Sequence, residues 1–292
     1  MKTSHSVILA SGAFSSTGIA LLFSTLIFFI THVSTGAQVS VLPGGKFVTV
    51  NGMRMYYETH GEGPPLLLLH GFKGSSQLWK PFIGEMSKHY SLILPDLRGH
   101  GRTTNPTKKF THKLAASDIQ ALLDQIRIRR CRALGLSSGG IILLHMATQR
   151  PDRIEAMVLV SASTHFPDEA RVIMRKTSVE NISPEEWEGA RQLHVYGDEQ
   201  ILLLRQQFHG FKDSYDDVNF TPPYLGRIRA ATLIVHGDRD PFFPVSIGVG
   251  LYRSIPHSYL WVIPNGEHVP IYQENAQFTR TSLEFFKSQT AE

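Results

Sequence analysis

A single cysteine, Cys131, stands among 292 residues, so no intrachain disulfide can staple this chain. It borders a short apolar run, and a buried small hydrophobe is the expected role rather than a reactive thiol. Charged residues make up only 18% of the sequence. The net charge is +4 and the pI 9.1, yet Lys and Arg are scattered, without a basic stripe or interleaved aromatics, so nucleic-acid binding is not expected. No internal repeat or low-complexity segment divides the chain. The sequence also lacks a His, Cys, Asp and Glu cluster at metal-ligand spacing and a dinucleotide-binding glycine fingerprint, so chemistry without a metal or cofactor is expected.

The apolar block at residues 18–30, interrupted by Ser24 and Thr25, is shorter than the roughly 20 residues of a membrane span. Its length suits the apolar region of a signal peptide. Residues 1–37 carry Lys2 as their one Lys and no Asp, Glu or Arg, and Thr35-Gly36-Ala37 sets small residues before a cleavage point at Gln38. Left uncleaved, the segment would act as an anchor, lengthened by the loosely apolar stretch from Val7. Either route takes the remainder out of the cytoplasm, to a periplasmic or secreted location, and membrane contact is expected only for the uncleaved form. Residues 38–292 then form one domain.

Within that domain Phe47-Val48-Thr49-Val50, Asn51-Gly52 and Met53-Arg54-Met55-Tyr56-Tyr57 spell a hairpin with a tight Asn-Gly turn. Continuous apolar runs follow at residues 66–69, 91–94, 132–136, 156–160, 232–235 and 259–263, the pattern of strands buried on both faces. Helical spacing of apolar residues separates them at 77–88, 112–126, after Ser138, at 245–254 and at 276–287. This alternation predicts an α/β fold with a mainly parallel sheet covered by helices on both faces, its chemistry at the carboxyl ends of strands. Residues 163–227 break the pattern. They hold no clear strand but carry Trp187, Tyr196, Phe208, Phe211, Tyr215 and Phe220, and predict a helical cap inserted after the sixth strand.

Gly135-Leu136-Ser137-Ser138-Gly139 fits G-x-S-x-G, with a strand-length run before it and an apolar helix after it. That context makes Ser137 a candidate nucleophile at a strand-to-helix turn. Ser138 fails the pattern because Leu136, not glycine, lies two residues before it. A serine hydroxyl needs a base and a group to orient that base. Later strand ends offer Asp238 or Asp240 in His236-Gly237-Asp238-Arg239-Asp240-Pro241, and His268 in Asn265-Gly266-Glu267-His268. With fourteen histidines present, only the position after the last strand selects His268. An oxyanion donor is expected from the Ser138 amide at the start of the elbow helix.

These motifs resemble the α/β-hydrolase fold superfamily over residues 47–286, and within it the lidded serine esterases, lactonases and carbon-carbon hydrolases. The resemblance implies Asp240, the second aspartate of the G-D-x-D string, as the acid of a Ser137, Asp240, His268 triad, leaving Asp238 to satisfy loop donors. His70-Gly71-Phe72 is similar to the family's His-Gly-x loop, which implies a second oxyanion donor at the Phe72 amide, with His70 bracing the loop. Asp96-Leu97-Arg98-Gly99-His100-Gly101 resembles its D-x-R-G-x-G turn, a structural loop in which an anion site at Arg98 is the sharper alternative. A serine at the elbow sets the chain apart from the haloalkane dehalogenases and epoxide hydrolases, which use aspartate there, and Lys73 departs from the proline common in the latter. The implied activity is hydrolysis of small to medium, apolar carboxylic esters through an acyl-enzyme, with a small-molecule ester as partner. Phe72, Phe242, Trp187 and Phe208 are candidates for substrate contact. Lactone or carbon-carbon hydrolysis with the same residues, and a non-catalytic binding protein on this scaffold, are the alternatives.

Cleavage of the leader is expected to leave Gln38 as the first residue of the exported protein. Terminal sequencing that finds the segment before Gln38 retained would instead establish the anchored form.

Overall fold

The computed structural model describes residues 45–289, so the leader or anchor expected at residues 1–37 lies outside the described residues. Among the described residues eight strands are formed: β1 (Gly45–Val50), β2 (Met53–His60), β3 (Pro65–Leu69), β4 (Ser91–Pro95), β5 (Cys131–Leu136), β6 (Ile154–Val160), β7 (Ala231–Gly237) and β8 (Ser258–Ile263). They build one sheet in the order β1-β2-β4-β3-β5-β6-β7-β8. From β4 to β8 every pairing is parallel, while β1 and β2 add an antiparallel edge. Asn51 (φ 48°) and Gly52 (φ 75°) make the turn of that hairpin, both in the left-handed region that a two-residue hairpin turn requires.

The apolar runs are continuous because both faces of the sheet are covered. Leu67, Leu69, Ile93, Ala133, Met157, Leu159 and Ile234 point to one layer, and Leu66, Leu68, Leu92, Leu94, Leu134, Val158 and Leu233 to the other. The first layer is closed by α2 (His112–Gln125), α3 (Ser138–Gln149) and α8 (Val245–Ser254), the second by α1 (Lys80–Met86) and α9 (Asn275–Ser288). The helix expected over 77–88 divides into a 3₁₀ turn, Ser76–Trp79, and α1, because Pro81 has no N–H to carry a helix through that point.

Between β6 and β7 lie α4 (Asp168–Lys176), α5 (Pro184–Leu193), α6 (Asp198–Gly210) and α7 (Pro222–Leu225), the helical cap. A capping box of Ser183 and Glu186 starts α5. The neck of the cap is closed by a bridge between His165 and Asn219 and by the Phe220 amide donating to the Thr164 carbonyl at 2.9 Å. No helix among the described residues is long and apolar enough to cross a membrane.

The loop after β4 is structural. Arg98 donates to both carboxylate oxygens of Asp118 at 2.7 and 2.8 Å, with the two side chains 2% and 1% exposed, so the anion site considered for Arg98 is taken by a residue of α2. Asp96 accepts from the Ser76 and Arg102 amides. Asp118→Ala strands a buried guanidinium and is expected to cost about 3 to 5 kcal/mol in urea denaturation. Asp152→Ala at the exposed Arg229 pair should leave the midpoint nearly unmoved.

Candidate active site

Ser137 sits between the end of β5 and the first residue of α3 with φ 52° and ψ −116°, a conformation that non-glycine residues rarely hold. Two glycines make the turn sterically possible. A Cβ at Gly135 would lie 2.5 Å from the Gly139 carbonyl carbon, and one at Gly139 would lie 2.2 Å from the Leu69 carbonyl oxygen. The elbow therefore presses against the end of β3. The same approach brings Gly71 to Ser137, since a Cβ there would be 3.5 Å from Ser137 Cβ.

The loops after β7 and β8 deliver Asp240 and His268. His268 Nδ1 donates to Asp240 Oδ2 at 2.8 Å, which leaves Nε2 to accept from the Ser137 hydroxyl at 2.9 Å. Asp240 is 8% exposed. Burial alone would raise its pKa, but the neighbouring His268 and the Phe243 and Phe242 amides outweigh that and hold the carboxyl below its ordinary value. Those amides donate to Oδ1 at 3.0 and 2.8 Å, so Asp240 both orients the histidine and organises its own loop. Asp238 does not satisfy the loop's donors as expected: it is exposed, its ionic neighbour is Arg239 at 4.0 Å, and Asp240 takes the backbone donors instead. His236 orders the loop by donating Nε2–H to the Phe243 carbonyl.

Ser138 is the first residue of α3, so its N–H is among those a helix start cannot satisfy internally. Phe72 follows Gly71 on the β3 loop, braced by His70, whose Nδ1 donates to the Gly71 carbonyl while Nε2 accepts from the Leu97 amide. Over the serine stands a run of rings. Phe72 packs against Phe110, Phe211 and Phe208 at centroid distances of 4.9, 4.9 and 6.0 Å, Phe208 reaches Phe242 at 6.3 Å, and Phe242 meets His268 at 4.7 Å. Trp187 is not brought here. It is half-buried on α5 with the Arg191 guanidinium 5.0 Å over its ring, one helical turn away, and makes no ring contact with this group among the described residues.

Sequence reasoning missed a second array beside the first. Ser138 Oγ lies 2.9 Å from His112 Nε2, and His112 Nδ1 lies 2.7 Å from Asp217 Oδ2 of the cap. No local pattern could announce it, because its members are 26 and 105 residues apart. Among the described residues no group of three or more His, Cys, Asp or Glu is placed to hold a metal ion.

The sheet order, the strained serine between β5 and α3, and the loops after β7 and β8 together define the α/β-hydrolase fold. Residues 64–182 match the family described as alpha/beta hydrolase fold. A putative carbamate hydrolase, RutD of Pseudomonas savastanoi pv. phaseolicola, is 26% identical over 251 residues, covering 79% of this chain and 96% of that protein. The human serine hydrolase BPHL is 28% identical over 232 residues, covering 76% and 79%. A solved meta-cleavage product hydrolase from Pseudomonas fluorescens IP01 superposes with a TM-score of 0.67 at 24% identity, over 84% of this chain and 98% of that one. The chain has the α/β-hydrolase fold, and the relatives it is similar to are hydrolases.

Buried neutral histidines surround the site. Burial lowers His70 to about 3, His145 to about 4 and His194 to about 4 from an ordinary 6.5. The unfolded chain takes up protons below about 6.5 that the folded protein refuses, so stability is complete above that pH and is lost as pH falls toward 4. Urea midpoints are expected to decline through this window by roughly 1.4 kcal/mol per pH unit for each histidine. A flat profile would show that these rings are not held neutral.

Proposed function

We propose that the protein hydrolyses carboxylic esters of small to medium, apolar substrates through an acyl-enzyme formed on Ser137. The observation that carries this reading is the hydrogen-bonded series from Ser137 through His268 to Asp240, at 2.9 and 2.8 Å, at the carboxyl end of the sheet. His268 takes the Ser137 proton as Oγ attacks the carbonyl carbon, and Asp240 keeps the ring in the tautomer that can accept it. The developing oxyanion is received by the Phe72 and Ser138 amides, each donor being worth about 3 to 4 kcal/mol in such sites. His268 then returns the proton to the leaving alcohol, and next activates the water that releases the acid.

The apolar preference is supported by Phe72, Phe208 and Phe242, whose linked rings run from the β3 loop to the face of His268. Carbamates, lactones and diketones are open to the same proton transfers, and the RutD relative is named for the first of these. A series of nitrophenyl esters of increasing acyl length, assayed beside a lactone, a carbamate and a diketone, is expected to give its highest kcat/KM on an ester. Ser137→Ala should lower ester turnover about 10⁴- to 10⁶-fold and abolish labelling by a fluorophosphonate. Turnover that survives this substitution would remove Ser137 from the reaction, and a preference for the diketone or lactone would replace the substrate class.

A further inference from the structure

Ser138, His112 and Asp217 repeat the connectivity of Ser137, His268 and Asp240, yet they are closed off from substrate. Ser138 is 5% exposed and His112 fully buried. His112 Nδ1 donates to Asp217 Oδ2, so its Nε2 accepts from the Ser138 hydroxyl. Asp217 is itself held from several sides. Its carboxylate accepts from the His112 and Lys113 amides at 2.8 and 3.1 Å, in the first turn of α2, and its carbonyl accepts from His145 Nε2 of α3 at 2.7 Å. Burial would raise its pKa, but His112 and the two amides bring it down to about 2. The carboxylate is thus a fixed charge from the cap, seated between two core helices.

We propose that His112 and Asp217 are positioning residues that hold Ser138, and with it the Ser138 amide, in line with the developing oxyanion, so that the oxyanion hole is complete only when the cap is seated. The inference rests on the reading of that amide as an oxyanion donor. Three features of the geometry carry it. The restrained hydroxyl and the donor amide belong to one residue, directly after the strained Ser137, where small rotations redirect the N–H. The anchor of the restraint is a cap residue, although Ser138 is part of the sheet-packed core. Phe211 of the cap lies 5.2 Å from the His112 ring and 4.9 Å from the Phe72 ring, so Phe72 and the histidine that holds Ser138 lean on the same cap residue.

The test compares Ser138→Ala, His112→Phe, their double variant and Asp217→Asn in the full chain with a nitrophenyl ester, with Ser137→Ala measured in parallel. Ser138→Ala deletes one oxygen and keeps the amide. It and His112→Phe are each expected to lower kcat about tenfold, a fraction of the effect of losing a whole donor, with KM changed less than twofold. Because both cut one chain, the double variant should be no slower than the slower single variant. Asp217→Asn keeps an acceptor for His112 Nδ1 and should lose only about threefold. A fluorophosphonate, whose oxygen occupies the oxyanion position, should label the variants more slowly in the same order.

A wild-type kcat for Ser138→Ala, losses that fall on KM instead of kcat, or additive losses in the double variant would overturn the proposal while leaving an inactive Ser137→Ala, and hence the assignment of the nucleophile, intact. Phosphonylation of Ser138 in the Ser137→Ala protein would overturn it in favour of a second nucleophile. Full turnover by Ser137→Ala would remove the proposal and the reading it rests on together.

Discussion

The contact between Gly139 and the Leu69 carbonyl sets the distance on which the rest of the site depends. It leaves no room for a side chain, so the first turn of α3 and the end of β3 share one boundary. Through it the elbow that carries Ser137 and the loop that carries Phe72 are placed by the same constraint. The strained backbone at Ser137, worth about 1 to 3 kcal/mol, persists because its surroundings over-determine it. Strand β5 is paired on both sides, and the Ser137 amide itself donates to the Val160 carbonyl at 2.8 Å. The sheet thus keeps the hydroxyl pointing out of its end, where the later loops bring Asp240 and His268.

The cap is joined to the core by polar ties as well as by packed rings. His194 accepts from the Gly101 amide through Nδ1 and donates Nε2–H to the Lys73 carbonyl, linking the loops after β4 and β3. Asp217 links α2 and α3. Between these ties lies the cluster of Phe72, Phe110, Phe208 and Phe211, with His100 at 4.7 Å from Phe72. In such apolar surroundings a charged imidazole is disfavoured, which is why burial lowers His70, His100 and His194 and leaves them as directed donors and acceptors.

What could be read from the sequence was what is written locally. The strands appear as runs such as Leu66 to Leu69 because each strand alternates between two covered faces, and the hairpin appears because Asn51 and Gly52 tolerate left-handed backbone. The elbow was legible for a related reason: steric exclusion at Gly135 and Gly139 leaves a glycine signature. His268 could be singled out by its place after the last strand, whereas place alone left Asp238 and Asp240 both open and the family resemblance chose Asp240. The cap interior gave no such marks. Trp187 and Phe208 are both aromatic residues in helical segments, and only the packing of α5 and α6 separates one from the other. Asp217 had no local feature to set it apart from Asp216, since its partners come from helices far away in sequence. The role expected of Asp238 failed for a different reason: both aspartates share one short loop, and there Asp240 takes the Phe242 and Phe243 amides while Asp238 is exposed.

The closed neck has a consequence for how such a protein can change. With the Phe220 amide bound to the Thr164 carbonyl, the two ends of the insertion lie side by side, so the strands that enter and leave it need no particular chain between them. Doubling the length of a loop whose ends already meet costs only about 0.6 kcal/mol in closure entropy. The cap can therefore be exchanged, lengthened or shortened as a module without disturbing the register of β6 and β7, provided a replacement offers a carboxylate to His112 and a ring to Phe72.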